Sequence, residues 1–321
     1  MRRNFETAPK PFDIVPFETN PKPVERIIGH DRIAGSDRMT GRGTLHFKTL
    51  TPLHIGSGLW VLGQNVIREF ANTGGETVIP GSSLKGAFRT IAETISPSCV
   101  CKTKFKKNDL TYSGLKECSI EEAKRKHCIT CSLFGCMGYK GRVFFTDGIL
   151  NKGQVRVHKI PPLYGPRDKA RIYKDRSSKF RGRKFYFHGE PAEGREPIQV
   201  LEPGSVFESE LRFENVSREE MGLLFTSLGI IGGLVPKIGG AKPVCLGSVQ
   251  VMPQKLEIRA EGRRAFATYS SPSKAYEGEA LEEFIQTLPA ENNAHILNNS
   301  LARLKSVWEY PSVRTCPSIA Y

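Results

Sequence analysis

Val78-Ile79-Pro80-Gly81-Ser82-Ser83-Leu84-Lys85-Gly86-Ala87-Phe88-Arg89 reads as a short strand, a Pro-Gly break, a serine N-cap and a helix with Leu84, Ala87 and Phe88 on one side. The helix is predicted from about Ser83 to Thr94. Free N–H groups at its entrance, with Lys85 and Arg89 one turn apart, suit a phosphate; a capped helix with solvated basic residues is the plainer alternative. Upstream, the alternating strand Thr44 to Leu50 runs into Thr51-Pro52-Leu53-His54-Ile55-Gly56-Ser57-Gly58, a turn whose glycines let other backbone come close.

Moving outward, residues 1–43 carry five prolines and read as an extended arm lying on the domain or on a neighbour. Residues 96–140 hold most of the cysteines and a short helix starting at Ser119. A return strand is expected at Arg142 to Gly148, and 154–190 is a basic insertion read as a projecting hairpin or loop. Strand Val206 to Phe213 follows, then a capping box of Ser217 and Glu220 opening the helix Arg218 to Leu228, which Gly229 ends. A glycine-rich loop, Gly232 to Gly247, leads into the strand Ser248 to Val251. Residues 260–321 are read as a polar link and a C-terminal appendage with helices at 280–288 and 294–308.

Lysine plus arginine outnumber aspartate plus glutamate by 47 to 33, a net charge of +14, which favours a polyanion, nucleic acid before an anionic membrane surface. No apolar run reaches the length of a membrane span, and the first residues hold no apolar signal core, so the expected compartment is the cytoplasm. Six of eight cysteines fall between Cys99 and Cys136, a clustering that favours metal over disulfides in a reducing compartment.

Cys128 and Cys131 form a CxxC pair; with Cys118 and either Cys99 or Cys101, four thiolates would close a tetrahedral, structural zinc site. The set taken here is Cys101, Cys118, Cys128 and Cys131, with Cys99, Cys136 and His127 as alternatives, and buried free thiols or a redox CxxC as competing readings. Between 163 and 188 cations alternate with aromatics, and Arg171, Arg181, Arg183 and Lys184 are candidate phosphate contacts with Tyr and Phe faces available for stacking. In the glycine-rich loop Lys237 and Lys242 flank Gly239 and Gly240, which would admit a phosphate; a tight helix-to-strand turn is the alternative. Hydrolytic machinery is not evident, since Asp31 and Asp37 lack partners at a required spacing, and His54 or His188 would have to act in an acid-base cleavage.

The order TPLHIGSG, IPGSSLKGAFR, a cysteine cluster ending in CxxCSLFG, and a glycine-rich loop entering a strand resembles the repeat-associated mysterious protein (RAMP) superfamily over about residues 44–252. In particular it resembles backbone-type subunits of type III CRISPR–Cas effector complexes. The resemblance implies an α+β, ferredoxin-like, RNA-recognition-motif-like β-α-β-β-α-β palm at 44–259, with zinc-binding (96–140) and thumb-hairpin (154–190) insertions. It further implies a guide RNA, a target RNA and other effector subunits as partners in antiviral defence. Carried over by position, Ser82, Ser83, Lys85, Arg89, Lys237, Gly239, Gly240 and Lys242 would hold the guide, with His54, Gly56 and Ser57 of the glycine turn beside them. Cleaving subunits of this kind place an aspartate in the loop after the first strand. Here Leu59 to Glu69 contains none, Gly63 sits near the expected place, and the expectation is a scaffold without its own target cleavage. The alternatives are a metal-dependent endonuclease using Asp31 or Asp37 and a protein-contacting end cap.

Overall fold

A computed structural model describes residues 11–24, 38–62, 66–101, 109–110, 115–118, 127–165, 171–259, 273–289 and 292–318. The candidates Asp31, Asp37 and Gly63, and the helix expected from Ser119, lie outside them. The first half contains strands β1 (Phe12–Pro16), β2 (Arg38–Thr49), β3 (Gly56–Leu62), β4 (Val66–Phe70), β5 (Asn72–Thr73) and β6 (Glu76–Ile79), then helix α1 (Gly81–Thr94). After the cysteine region's α2 (Ile129–Phe134) come β7 (Gly135–Cys136), β8 (Tyr139–Lys140), β9 (Val143–Phe145), β10 (Gly148–Lys152), β11 (Val155–Ile160), β12 (Gly182–Tyr186) and β13 (Glu196–Leu201). The last part comprises β14 (Val206–Ser217), α3 (Arg218–Leu228), β15 (Val249–Arg259), β16 (Ser273–Glu277), α4 (Gly278–Gln286) and α5 (Asn298–Val307). The chain is mixed α+β and rich in strands.

The main sheet runs β16-β15-β2-β14-β10-β6-β5, with β9 also on β14, and every pairing is antiparallel. Period-two alternation makes its faces unequal: Leu45, Phe47, Phe207, Leu211, Phe213, Val249 and Val251 point inward and are buried. Against them lie Leu84, Phe88 and Ile91 of α1 and Met221, Leu224 and Phe225 of α3, all in one core. Phe88 sits between Phe47 and Phe145, with ring centroids 6.0 and 5.7 Å away.

Helix α1 begins two residues earlier than its serines suggested. Pro80, with φ −53° and ψ 133°, is the N-cap and has no side chain to offer; the Gly81 N–H instead donates to Asp147 Oδ1 at 2.8 Å. Only glycine fits at 81, because a Cβ there would lie 2.3 Å from the Phe145 carbonyl oxygen. Ser82 and Ser83 consequently stand exposed in the first turn. Helix α3 follows the sequence closely: Ser217 and Glu220 form the reciprocal capping box, and Gly229 closes it at φ 78°.

The basic insertion is not a hairpin folded on itself. Its strand β11 pairs with β13 in a second sheet ordered β11-β13-β4-β3, and its strand β12 pairs with β1 of the arm. Nor are the C-terminal helices an appendage: Leu281, Phe284, Leu301, Leu304 and Trp308 belong to the main core. The first strand starts at Arg38 rather than Thr44, and residues 273–277 of the expected link extend the sheet as β16.

One polar cluster ties these parts together. Arg142, with a side chain 0% exposed, forms a forked pair with Glu220 at 2.6 and 2.9 Å and also donates to Ser132 of α2 and to the Asn215 carbonyl. Arg38 joins Glu220 at 3.0 Å. Removing one partner of such a pair leaves a buried charge uncompensated, so Arg142→Met is expected to lower the unfolding free energy by about 3–5 kcal/mol in urea denaturation. Arg42→Met, which opens a solvent-exposed pair with Glu257, should leave the midpoint close to wild type.

Candidate metal centre and nucleic-acid interface

Four thiols converge where α2 meets the chain leaving α1. The sulfurs of Cys99, Cys118, Cys128 and Cys131 all lie within 4.8 Å of one another, and the Cys99 sulfur is 3.5, 3.6 and 3.9 Å from those of Cys131, Cys128 and Cys118. A tetrahedral ion with bonds of about 2.3 Å requires ligand edges of about 3.8 Å, so the spacing and the donor chemistry both fit a tetrathiolate metal. Cys128 serves twice, since it also caps α2 by accepting from the Cys131 N–H at 3.5 Å. The thiols share their protons among themselves: hydrogen bonds from Cys118, Cys131 and Cys99 hold the Cys128 pKa below its ordinary value, and those from Cys118, Cys128 and Cys99 push the Cys131 pKa up.

The fourth corner is Cys99, where the sequence reading had taken Cys101. The Cys101 sulfur points to Glu117 instead, donating to Oε1 at 2.9 Å, and burial followed by that hydrogen bond pushes its pKa up to about 12. His127 is fully buried against the Tyr139 ring at 4.4 Å, and among the described residues neither of its ring nitrogens has a hydrogen-bond partner.

At the α1 entrance, Ser82 and Ser83 are exposed, and the Lys85 and Lys140 ammonium groups both lie over the Phe144 ring, at 5.0 and 4.8 Å from its centroid. Burial, then the charges of Arg89 and Lys140, lower the Lys85 pKa, so this corner crowds cations and favours an anion. Arg89 itself turns inward. Its Nε pairs with Glu93 at 2.7 Å, Nη1 donates to the Gly135 carbonyl at 2.6 Å and Nη2 to the Cys131 sulfur at 3.3 Å.

The other RNA candidates divide in the same way. Arg183 is spent on the second oxygen of buried Glu93. Lys184 is ringed by Phe12, Tyr173 and Tyr186 at 5.2, 5.6 and 4.8 Å, whereas Arg181 is exposed; of Arg171 only the backbone, in a 3-10 turn, is described. Gly56 and Ser57 are exposed at the start of β3, and the Ser57 hydroxyl donates to Glu69 at 2.8 Å.

The glycine-rich loop makes its close approach to protein. The Gly240 N–H donates to the His54 carbonyl at 2.8 Å, and a Cβ on Gly239, at φ 74°, would lie 2.3 Å from that oxygen. His54 is buried, its Nδ1–H donates to the Gln199 carbonyl at 2.7 Å, and desolvation lowers its pKa. Lys242 lies in a short 3-10 turn, and burial pushes its pKa down to about 8.

Lys237 lies in the interior, 3% exposed, donating to the Cys245 carbonyl at 3.3 Å and the Ser248 hydroxyl at 3.2 Å. That hydroxyl donates in turn to His188 Nδ1 at 2.8 Å, while His188 Nε2–H donates to the Val235 carbonyl at 3.0 Å. Desolvation, then Lys237, pushes His188 down to about 3, which leaves a buried neutral imidazole rather than a titrating acid-base group. The two cysteines beyond the 99–136 segment, Cys245 and Cys316, form a disulfide beside this loop, where a reducing compartment would keep thiols free.

Sequence reasoning missed Asp147 at the α1 entrance, Phe144 between two lysines, and Glu93 between two arginines. Thr146-Asp147-Gly148 carried only a turn signal, and the pairings of Phe144 and Glu93 depend on strand placement.

The model of the RAMP superfamily matches residues 46–250, a span that runs from within β2 to the start of β15 and includes the cysteine cluster, both core helices and the glycine-rich loop. The chain belongs to the RAMP superfamily. Membership supports a CRISPR-associated, RNA-binding subunit of the type III kind in general terms, associated with CRISPR RNA and other effector subunits. No curated protein matches the chain. Among the described residues no helix is long and apolar enough to cross a membrane.

Lys237 gives a pH test of the loop. Burial lowers its pKa from 10.5 to about 7. Between those values the unfolded chain holds a proton that the folded chain has released, so unfolding free energy rises with pH there and levels off above. Wild type is expected to gain more stability than Lys237→Met in denaturation curves taken from pH 7 to 10.

Proposed function

We propose that this protein is a guide-RNA-binding backbone subunit of a type III CRISPR–Cas effector, acting in the cytoplasm without its own target-RNA cleavage. The observation that carries the reading is the cationic corner Lys85–Phe144–Lys140 beside the exposed Ser82 and Ser83, inside the segment matched to the RAMP superfamily. An RNA phosphate there would offset the crowding of the two ammonium groups, the first N–H of α1 being already taken by the Asp147 carboxylate, and an adjacent base could stack on the half-buried Phe144 ring.

Within this reading, β2, β9, β14 and β15 are the four strands of a ferredoxin-like palm, in spatial order β15-β2-β14-β9, and α1 and α3 are its two helices. The four cysteines hold zinc as a structural ion, because a complete thiolate set leaves no coordination position for a reacting water. Residues Cys99, Cys118, Cys128 and Cys131 would hold it; the ion's chemistry would be to fasten the insertion to α1. A protein-contacting role is supported beside RNA binding by the hairpin β3–β4, which exposes Leu59 (67%), Trp60 (55%), Leu62 (83%) and Val66 (53%).

The test is a gel in which the purified protein meets a guide RNA and a complementary labelled target, with Mg²⁺ or Mn²⁺ and separately with EDTA. Retained, intact RNA is expected. The double variant Lys85→Ala/Lys140→Ala should weaken retention and reduce the slope of log affinity against log salt by roughly 1.4, two phosphates at about 0.7 each on a single strand. Unchanged retention would favour the protein-contacting role, and regular metal-dependent fragments would overturn the non-cleaving reading.

A further inference from the structure

Arg89 stands one helical turn beyond Lys85, yet the two side chains face different chemistry. A divalent ion held by four thiolates carries a net charge of about −2, and burying that charge is costly unless hydrogen bonds and cations compensate it. The sulfurs of Cys99, Cys128 and Cys131 are buried. Arg89 Nη2 approaches one of them, Cys131, at 3.3 Å, while Nη1 holds the Gly135 carbonyl that ends α2, at 2.6 Å. The fork therefore grips both the ligand and the helix that carries it.

Glu93 does not cancel this cation. Its two carboxylate oxygens are divided between Arg89 and Arg183, so the trio carries one net positive charge on the side of the sulfurs. Glu93 itself is buried, and Arg183 comes from β12, so the same trio joins the metal centre to the strand that pairs with the arm.

We propose that Arg89 is a positioning residue of the tetrathiolate centre: it donates to the Cys131 sulfur, offsets the charge of the loaded site and fixes α2 against α1. The inference rests on reading the four cysteines as a metal centre. It assigns Arg89 to the metal rather than to RNA. Groups that hydrogen-bond a metal ligand commonly change affinity by tenfold to a hundredfold when removed.

The test uses the full-length chain, with Zn²⁺ competed against a chromophoric chelator and Co²⁺ as a spectroscopic probe. Arg89→Ala is expected to weaken Zn²⁺ binding by roughly tenfold to a hundredfold. It should also move the sulfur-to-Co²⁺ charge-transfer band to longer wavelength, because a sulfur without its hydrogen bond releases electron density more readily. Arg89→Lys keeps the charge without the fork and should recover part of the affinity, which also covers the case in which the alanine variant does not fold. Arg183→Ala disturbs the same buried Glu93 without touching a sulfur and should leave the band in place. The proposal is overturned if both Arg89 variants bind and absorb as wild type, or if Arg183→Ala moves the band as far as Arg89→Ala does. A wild-type chain that takes up neither ion would overturn the metal centre itself, and this role with it.

Discussion

Arg142 is a guanidinium with no exposed side-chain surface, and its five donors are shared among partners that belong to separate parts of the chain. Glu220 opens α3, Asn215 lies near the end of β14, and Ser132 sits in the helix that carries the CxxC pair. Isolated, either charge would be expelled from the interior; together, with Arg38 and the capping box completing the oxygen lone pairs, they satisfy one another. The cysteine region, whose Ile129, Leu133 and Phe134 already reach the main core, is thereby fixed further to the two core helices. The thiol cluster at the start of α2 and the Arg142 bonds to Ser132 hold that short helix from two sides.

The face of the main sheet away from the helices shows what kind of RNA contact this fold permits. Many of its outward residues are paired: Arg42 with Glu210 and Glu257, Lys255 with Glu257 and Glu277, and the His46 ring hydrogen-bonded to Glu208. Each such exposed pair contributes little to stability, but together they present a carboxylate beside nearly every cation. A single strand laid across the middle of that face would meet these carboxylates; Phe144, opposite Arg212, brings an aromatic ring to its β9 margin. Lysines beside aromatic rings lie at that margin, where Lys85 and Lys140 meet Phe144, and on the β1–β12 ribbon, so in the proposed RNA-binding reading the sheet would support a binding edge.

The elements that were legible in the amino-acid order are those governed by local rules. Alternation in Leu45-His46-Phe47 and Phe207-Glu208-Ser209, the Ser217–Glu220 box, Gly229 and the CxxC spacing each act within a few residues, and each appears where it was read. The start of α1 was misplaced because its cap is Asp147, 66 residues away, and not the adjacent serine. Cys99 and Cys101 are separated by one residue, so spacing does not choose between them; a regular extended chain would put both sulfurs on one side, but the chain turns at Cys101, and the Cys99 sulfur enters the cluster while the Cys101 sulfur goes to Glu117. The Cys245–Cys316 bond joins residues 71 apart across the glycine-rich loop and the C-terminal segment, a proximity that no local pattern encodes.

Net charge agrees with the RNA-associated family to which the chain belongs, but it does not say which cations face outward. Lys85 and Arg89 occupy equivalent positions on successive turns, yet one borders an aromatic edge and the other closes a buried network with Glu93 and Cys131. Arg38, Arg142 and Arg183 are likewise committed to buried carboxylates, and Lys237 to a carbonyl and a hydroxyl. The division follows the chemistry of the two side chains. A planar fork can satisfy several acceptors at once and tolerates burial, so arginines are drawn into the structural network. An ammonium group is strongly hydrated and resists burial, and burial lowers the pKa of Lys237 where the fold imposes it. In this chain the positive charge that faces outward must therefore be sought among lysines beside aromatic surface and exposed arginines such as Arg181, while the arginines nearest the central motif hold the motif in place.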